Sequence, residues 1–199
     1  MSDENQETRG DFQRCADFHG HICPGLAIGY RAAKAGMAWL RQHRSEDEEV
    51  VAVVETDACG ADAVQVLTGC TFGKGNLIHR DYGKQAFTLL ERGTGKGVRL
   101  SLKGGALTLD DEHRALLRRI REGTATKEEQ NAFRDRHRRK CEEILEASFE
   151  TLFSVEPVDV DLPAKAVIEE SVSCEACGEP TMPSKMVTSG GRRLCRGCS

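Results

Sequence analysis

Apolar residues recur along the chain first with the spacing of a helix. From residue 24 to about residue 43, Leu26, Tyr30, Ala33, Met37 and Leu40 fall every three or four positions, one face of a 3.6-residue period. Gly25, Gly29, Ala32 and Gly36 give the same helix a stripe of small residues. Each glycine costs a soluble helix up to about 1 kcal/mol relative to alanine, so the stripe predicts close packing against another backbone. After a polar run, Val50, Val51, Ala52, Val53 and Val54 form an apolar stretch without alternation, which predicts a strand buried on both faces. Residues 61–68 read as a short helix stopped by Gly69.

Residues 77–80, 87–91 and 98–103 read as three further strands. In the last, Val98, Leu100 and Leu102 alternate with Arg99, Ser101 and Lys103, as in a half-exposed antiparallel strand. A short helical lead-in is expected over 11–17 and another helix over 110–121. Thr126 followed by Glu129 has the form of a capping box opening a long helix to about residue 153. Pro157 and Pro163 mark a linker. The sum predicts an α+β fold, a mixed or antiparallel sheet packed with helices. Its expected boundaries are a core domain at 1–156, a linker at 157–170 and a small module at 171–199.

Composition narrows the class. The chain has 199 residues, 39% of them hydrophobic and 30% charged, as in a globular protein with a wet surface. A net charge of −4 argues against general nucleic-acid affinity. Eight arginines (114, 118, 119, 121, 134, 136, 138 and 139) make one region locally basic; nearby Glu and Asp predict a balanced, solvated face. No run approaches the ~18 apolar residues of a membrane span, and the first six residues are polar without a signal-peptide pattern. Nine cysteines, an odd number, fit a disulfide framework poorly. A reducing cytoplasm is therefore expected.

The chemistry concentrates at His19, His21 and Cys23, just before Pro24. On an extended segment alternate side chains share a face, so all three would point at one ion or substrate. Pro24 suits the first turn of a helix and makes Cys23 its expected N-cap. There the helix dipole and orphan N–H groups favour thiolate. Cys59 follows the buried strand, and Cys70 lies in the loop after the next helix. The expected core metal site is His21, Cys23 and Cys59, with His19 or Cys70 as an alternative ligand. Imidazole and thiolate together favour zinc, or iron or copper under other supply, over magnesium or calcium. Cys23, His21, Asp57 and Lys74 are the catalytic candidates, Asp57 to orient a ligand or take a proton and Lys74 to counter a substrate anion. Gly69, Gly73 and Lys74 superficially suggest a phosphate-binding loop, but the glycine spacing is one residue short and Gly75 follows the lysine.

At the C-terminus, Cys174 and Cys177 pair with Cys195 and Cys198. Two Cys-x-x-Cys turns close a tetrahedral structural zinc site with no open position.

The motifs around 18–31, 57–65 and 69–77 together resemble the FmdE family of formylmethanofuran dehydrogenase components, over about residues 11–155. They run Phe18-His19-Gly20-His21-x-Cys23-Pro24-Gly25, then Asp57-x-Cys59-x-x-Asp62-Ala63-x-Gln65, then Gly69-Cys70-Thr71-x-Gly73-Lys74-Gly75-Asn76-Leu77. The resemblance implies an α+β core, a treble-clef-like zinc finger, often a homodimer, and a cleft around His19, His21, Cys23, Cys59 and Cys70. It also implies a link to molybdenum or tungsten enzymes of methanogenesis, as accessory component or small metalloenzyme. Only one residue follows Cys198, where a treble clef needs a helix; a zinc ribbon is equally compatible. Two other classes compete. One is a regulator or adaptor that binds protein or nucleic acid through the finger and basic helices. The other is a metal-free enzyme with Cys23 as nucleophile and His21 as base.

Overall fold

The glycine stripe organises the fold. In the computed structural model, which describes residues 3–41, 44–162, 165 and 168–199, the second helix, α2 (Pro24–Leu40), lies against the third, α3 (Gly60–Thr68). A Cβ at Gly29 would sit 2.1 Å from the Gly60 carbonyl oxygen, and one at Gly25 would sit 3.3 Å from Cys59 Cβ. Only glycine admits a backbone approach this close. The first helix, α1 (Asp3–His19), extends beyond the lead-in expected over 11–17. It is held to α2 by Phe12 edge-on to Tyr30, with ring centroids 5.2 Å apart.

A five-stranded mixed sheet carries these helices on one face. Its strands are β1 (Val50–Val54), β2 (Leu77–His79), β3 (Ala86–Glu91), β4 (Lys96–Leu102) and β5 (Phe153–Asp159), in the order β2-β1-β3-β4-β5. β1 is parallel to β2 and antiparallel to β3, so all five of its residues are buried, as the unalternating run predicts. Ala52, Val54, Phe87, Leu89, Val98 and Leu100 meet Ala27, Ile28, Ala32 and Met37 of α2 in the main core.

After β4 come α4 (Asp111–Arg121), α5 (Lys127–Glu146) and α6 (Phe149–Leu152). The Thr126–Glu129 capping box is present. The single helix expected to reach residue 153 instead ends at Glu146: Ala147 turns to ψ 150°, and Ser148 caps α6 by accepting from Thr151 N–H. Arg31 secures this break, donating to the carbonyls of Ile144, Leu145 and Ala147 at 2.8, 2.5 and 2.8 Å. Leu145, Phe149 and Leu152 all pack on the chain's own core.

The linker expected from 157 is strand as far as Asp159, and residues 1–164 cluster as one compact unit. β5 lies at the edge of the sheet, where Pro157, opposite Val98, is tolerated although it lacks an N–H. His43 and Pro163, which marked a helix end and the linker, lie outside the described residues. No described helix is long and apolar enough to cross a membrane.

Residues 165–199 form the second unit. It contains two short hairpins, β6 (Val172–Ser173) with β7 (Pro180–Thr181), and β8 (Met186–Ser189) with β9 (Arg192–Cys195). Gly190 and Gly191, at φ 57° and 80°, make the second turn. Among its described residues there is a short 3-10 turn, Pro183–Lys185, and no α-helix. Two hairpins carrying the four cysteines are compatible with the ribbon alternative.

Candidate metal centre

His19, His21, Cys23 and Cys59 converge, with their ligating atoms all within 4.8 Å of one another. The route differs from the extended segment expected. His19 is the last residue of α1, whose helix is closed by Gly20 at φ 89°, its N–H donating to Ala16 O at 2.8 Å. The turn folds His21 back beside His19, ring centroids 4.4 Å apart. A helix C-terminal glycine turn, not strand alternation, brings the two imidazoles together.

Both thiols come from helix N-termini. Cys23 is the N-cap of α2, extended at φ −151° and ψ 160°, its Sγ accepting from Leu26 N–H at 3.4 Å. Cys59 stands in the same position before α3 and makes no capping bond of its own. The Gly29–Gly60 approach sets the two helix starts side by side, so two positive dipole ends face the cluster. Burial nevertheless dominates at Cys23: it is 4% exposed, and its thiol is pushed up to about 11. A thiol so buried is poorly placed to attack a substrate as a metal-free nucleophile.

Asp62, one turn into α3, supplies what the four ligands lack. Its carboxylate lies 2.7 Å from His19 Nδ1, and Gln65 donates to its other oxygen at 3.2 Å. With Nδ1–H donating to Asp62, Nε2 is left free, and it faces Cys23 Sγ at 3.9 Å. Zinc bonds of about 2.0–2.3 Å give a tetrahedron with edges of roughly 3.3–3.8 Å. The donor set and its spacing fit such an ion with a small contraction. Cys23 is buried, His19 and Cys59 are half-buried, and His21 is exposed.

The other candidates lie elsewhere. Cys70 Sγ donates to the Val50 carbonyl at 3.3 Å, and Lys74 Nζ donates to the carbonyls of Ser45 and Glu46. Buried Asn76 joins them, donating to Asp47 O and Val50 O. These residues brace the start of β1, whereas Cys59 follows its end, about 13 Å away at 3.3 Å per residue. Cys70 is therefore not among the converging ligands, and Lys74 holds the loop before β1. Asp57 is exposed before α3 and makes no side-chain hydrogen bond to the cluster among the described residues.

Asp62 was visible only as part of a motif and carried no role. Two further residues carry no sequence assignment at all. His137 of α5 lies in the field of His21 and hydrogen-bonds His113 of α4, Nδ1 to Nε2, at 3.0 Å. Burial pushes the proton affinity of both imidazoles down. The available signal was the four-residue spacing of His137 and Cys141, which sets both on one helix face.

In the second unit Cys174, Cys177, Cys195 and Cys198 also bring their sulfurs within 4.8 Å. Cys195 N–H donates to Cys174 Sγ at 3.3 Å. Backbone donors from Cys177, Cys195 and Ala176 lower the Cys174 thiol to about 6, as expected of a turn built for thiolate.

Residues 18–154 match the model of the family described as "FmdE, Molybdenum formylmethanofuran dehydrogenase operon". The chain belongs to the FmdE family. The match opens one residue before His19 and contains the whole core cluster. The chain is 34% identical over 184 residues to a probable S-adenosyl-L-methionine-binding protein of Archaeoglobus fulgidus. That alignment takes in 87% of this chain and 49% of the relative, so the chain spans about half the length of the curated relative it matches. An FmdE-like protein of tungsten formylmethanofuran dehydrogenase type from Syntrophus aciditrophicus, solved at 1.90 Å, has the same fold. The TM-score is 0.59 and identity 25%, over 96% of this chain and 91% of that one.

Proposed function

We propose that this FmdE-family protein carries two metal ions per chain. A core centre is held by His19, His21, Cys23 and Cys59, and a structural zinc by the four C-terminal cysteines. The observation that carries the reading is the convergence of two imidazoles and two thiols from separate elements, with Asp62 fixing the tautomer of one imidazole. Histidine ligands oriented by a carboxylate are a recurrent feature of metal sites. Zinc is the ion proposed at the core, because nitrogen and sulfur donors near tetrahedral spacing suit it.

Bound there, the ion would supply a Lewis acid to a donor arriving from the exposed His21 side. Cys23 and Cys59 would hold it from the buried side, while Asp62 keeps His19 in its ligating tautomer. His21 would be the ligand that yields a position to water or substrate. The proposal includes an accessory role beside a molybdenum or tungsten enzyme, supported by the family description and by the tungsten-enzyme relative. It also includes a homodimer; Phe18 and Ile22, 61% and 45% exposed beside the ligands, support a second copy covering this rim. A monomeric mass by light scattering would remove that part.

Binding of S-adenosyl-L-methionine is a second reading, supported by the relative so named; equilibrium dialysis with the labelled compound tests it. The adaptor reading is weaker. Four of the eight arginines of the basic helices are held in ion pairs, Arg114 with Asp111, Arg119 with Glu129, Arg136 with Asp110 and Glu112, and Arg138 with Asp135.

Elemental analysis of protein purified without chelator or nickel tests the main reading. Two metals per chain are expected, falling to one in Cys23→Ser and in a Cys59→Ser variant. A wild-type value of one or fewer after reconstitution would overturn the core centre.

A further inference from the structure

The helices cover one face of the sheet. On the other, Val51, Val53 and Leu90 form a separate apolar cluster, against which Val158 and Leu162 pack. The segment after β5 thus returns across this face. It is pinned where Val160 N–H donates at 3.1 Å to the carbonyl of Gly95, itself at φ 72°. A cavity of about 200 Å³ lies between the segment and the sheet.

Strand register makes its floor amphipathic. Leu90 and Val158 lie on neighbouring rungs, either side of Gly97, and Val53, Thr88 and Arg99 form the next row across. Arg99 and Glu55 neutralise each other through two hydrogen bonds of 2.6 and 2.9 Å. Thr88 is 9% exposed, and its hydroxyl has no hydrogen bond among the described residues. The hydroxyl is not sealed from water, so a ligand that displaces that water can take its hydrogen bond. Arg80 and Asp161 also line the cavity, both exposed, and no ion pair engages either among the described residues. Lining carboxylates and guanidiniums therefore balance. A simple anion or cation would meet as much repulsion as attraction.

We propose that this cavity binds a free α-amino acid with an aliphatic side chain. Its carboxylate faces Arg80, its ammonium faces Asp161, and its side chain fills the apolar half. Thr88 bonds the polar head. A 150 Å³ cavity holds a benzene molecule, so this one has room for a branched four-carbon side chain. The site lies across the sheet from the metal cluster and stands apart from the proposed core centre.

Calorimetry of the full metal-loaded chain with L-leucine, isoamylamine and 4-methylpentanoate tests the proposal. L-leucine should bind with a Kd of about 1 mM or tighter, and both single-charge analogues at least about tenfold more weakly. Arg80→Gln and Thr88→Val should each weaken L-leucine by about tenfold while metal content stays at the parent value. The proposal is overturned by any of three results: no L-leucine binding at about 10 mM, an analogue binding as well as L-leucine, or an unchanged Kd in Arg80→Gln. Metal content reports the core centre separately, so the two proposals fail independently.

Discussion

His19 Nδ1 lies 2.7 Å from a carboxylate oxygen of Asp62, joining the end of α1 to the first turn of α3. This bond decides which nitrogen of His19 faces Cys23, because an Nδ1–H that donates to Asp62 leaves Nε2 as the free lone pair. Asp62→Ala should therefore lower core metal affinity by about 10- to 100-fold without removing a ligand. Asp62→Asn keeps an acceptor oxygen and should lose less. Competition with a chromophoric chelator measures both, and equal affinities in wild type and Asp62→Ala would contradict the tautomer argument.

Gly29 sets the spacing between the two thiol-bearing helix starts. An alanine there would gain up to about 1 kcal/mol of helix propensity. Its Cβ, however, would meet the Gly60 carbonyl oxygen at 2.1 Å, and backbone cannot rotate away. Overpacking of this kind costs about 1–3 kcal/mol. The clash wins, so Gly29→Ala should be destabilising by about 2 kcal/mol in urea unfolding. It should also weaken the core metal, because Cys59 moves with Gly60. Gly10→Ala is the control, since that Cβ meets nothing within 4 Å; it should gain stability by about 0.5–1 kcal/mol.

The contrast between Cys23 and Cys70 shows what could be read from the sequence. Pro24 fixes a helix start and so fixes Cys23, a local effect that spacing reveals. The unalternating valines of β1 likewise announce burial on both faces. Cys70 depends on which end of β1 its loop reaches, which is a matter of tertiary topology. From sequence it therefore stands as an alternative ligand to the Cys59 set. β5 was missed for a related reason: Pro157 argues against a strand unless that strand lies at an edge, and the edge is known only once the sheet is assembled. The pairing of His19 with Asp62 spans 43 residues and has no local signature.

The C-terminal cysteines should bind one zinc independently of the core. Cys177→Ser removes a ligand from a unit whose only buried large apolar side chain among the described residues is Leu194, at 8% exposure. Residues 165–199 should then become sensitive to limited proteolysis while residues 1–164 stay resistant. Because the thiols must lose their protons to hold the ion, zinc should leave on acidification. Unchanged zinc content in Cys177→Ser would contradict this assignment.

The Glu55–Arg99 pair gives stability its own pH dependence. Glu55, 6% exposed, is held below the ordinary carboxylate range, first by hydrogen bonding to Arg99 and then by its charge, against the opposing effect of burial. A carboxylate with a depressed folded-state pKa contributes stability that is present above its unfolded value, near 4.3, and is lost as pH falls through the folded value. Breaking a fully buried pair costs about 3–5 kcal/mol. The Arg99 side chain is 24% exposed, so Glu55→Gln should cost less, about 2 kcal/mol at pH 7. The gap between wild type and variant should stay constant above the unfolded value and close as pH falls through the lower folded value, where Glu55 itself is protonated. Acid also strips metal, but it does so in both proteins, and their difference isolates the pair. Urea unfolding across this range measures it, and a gap of the same size at both ends would show that Glu55 is not ionised against Arg99.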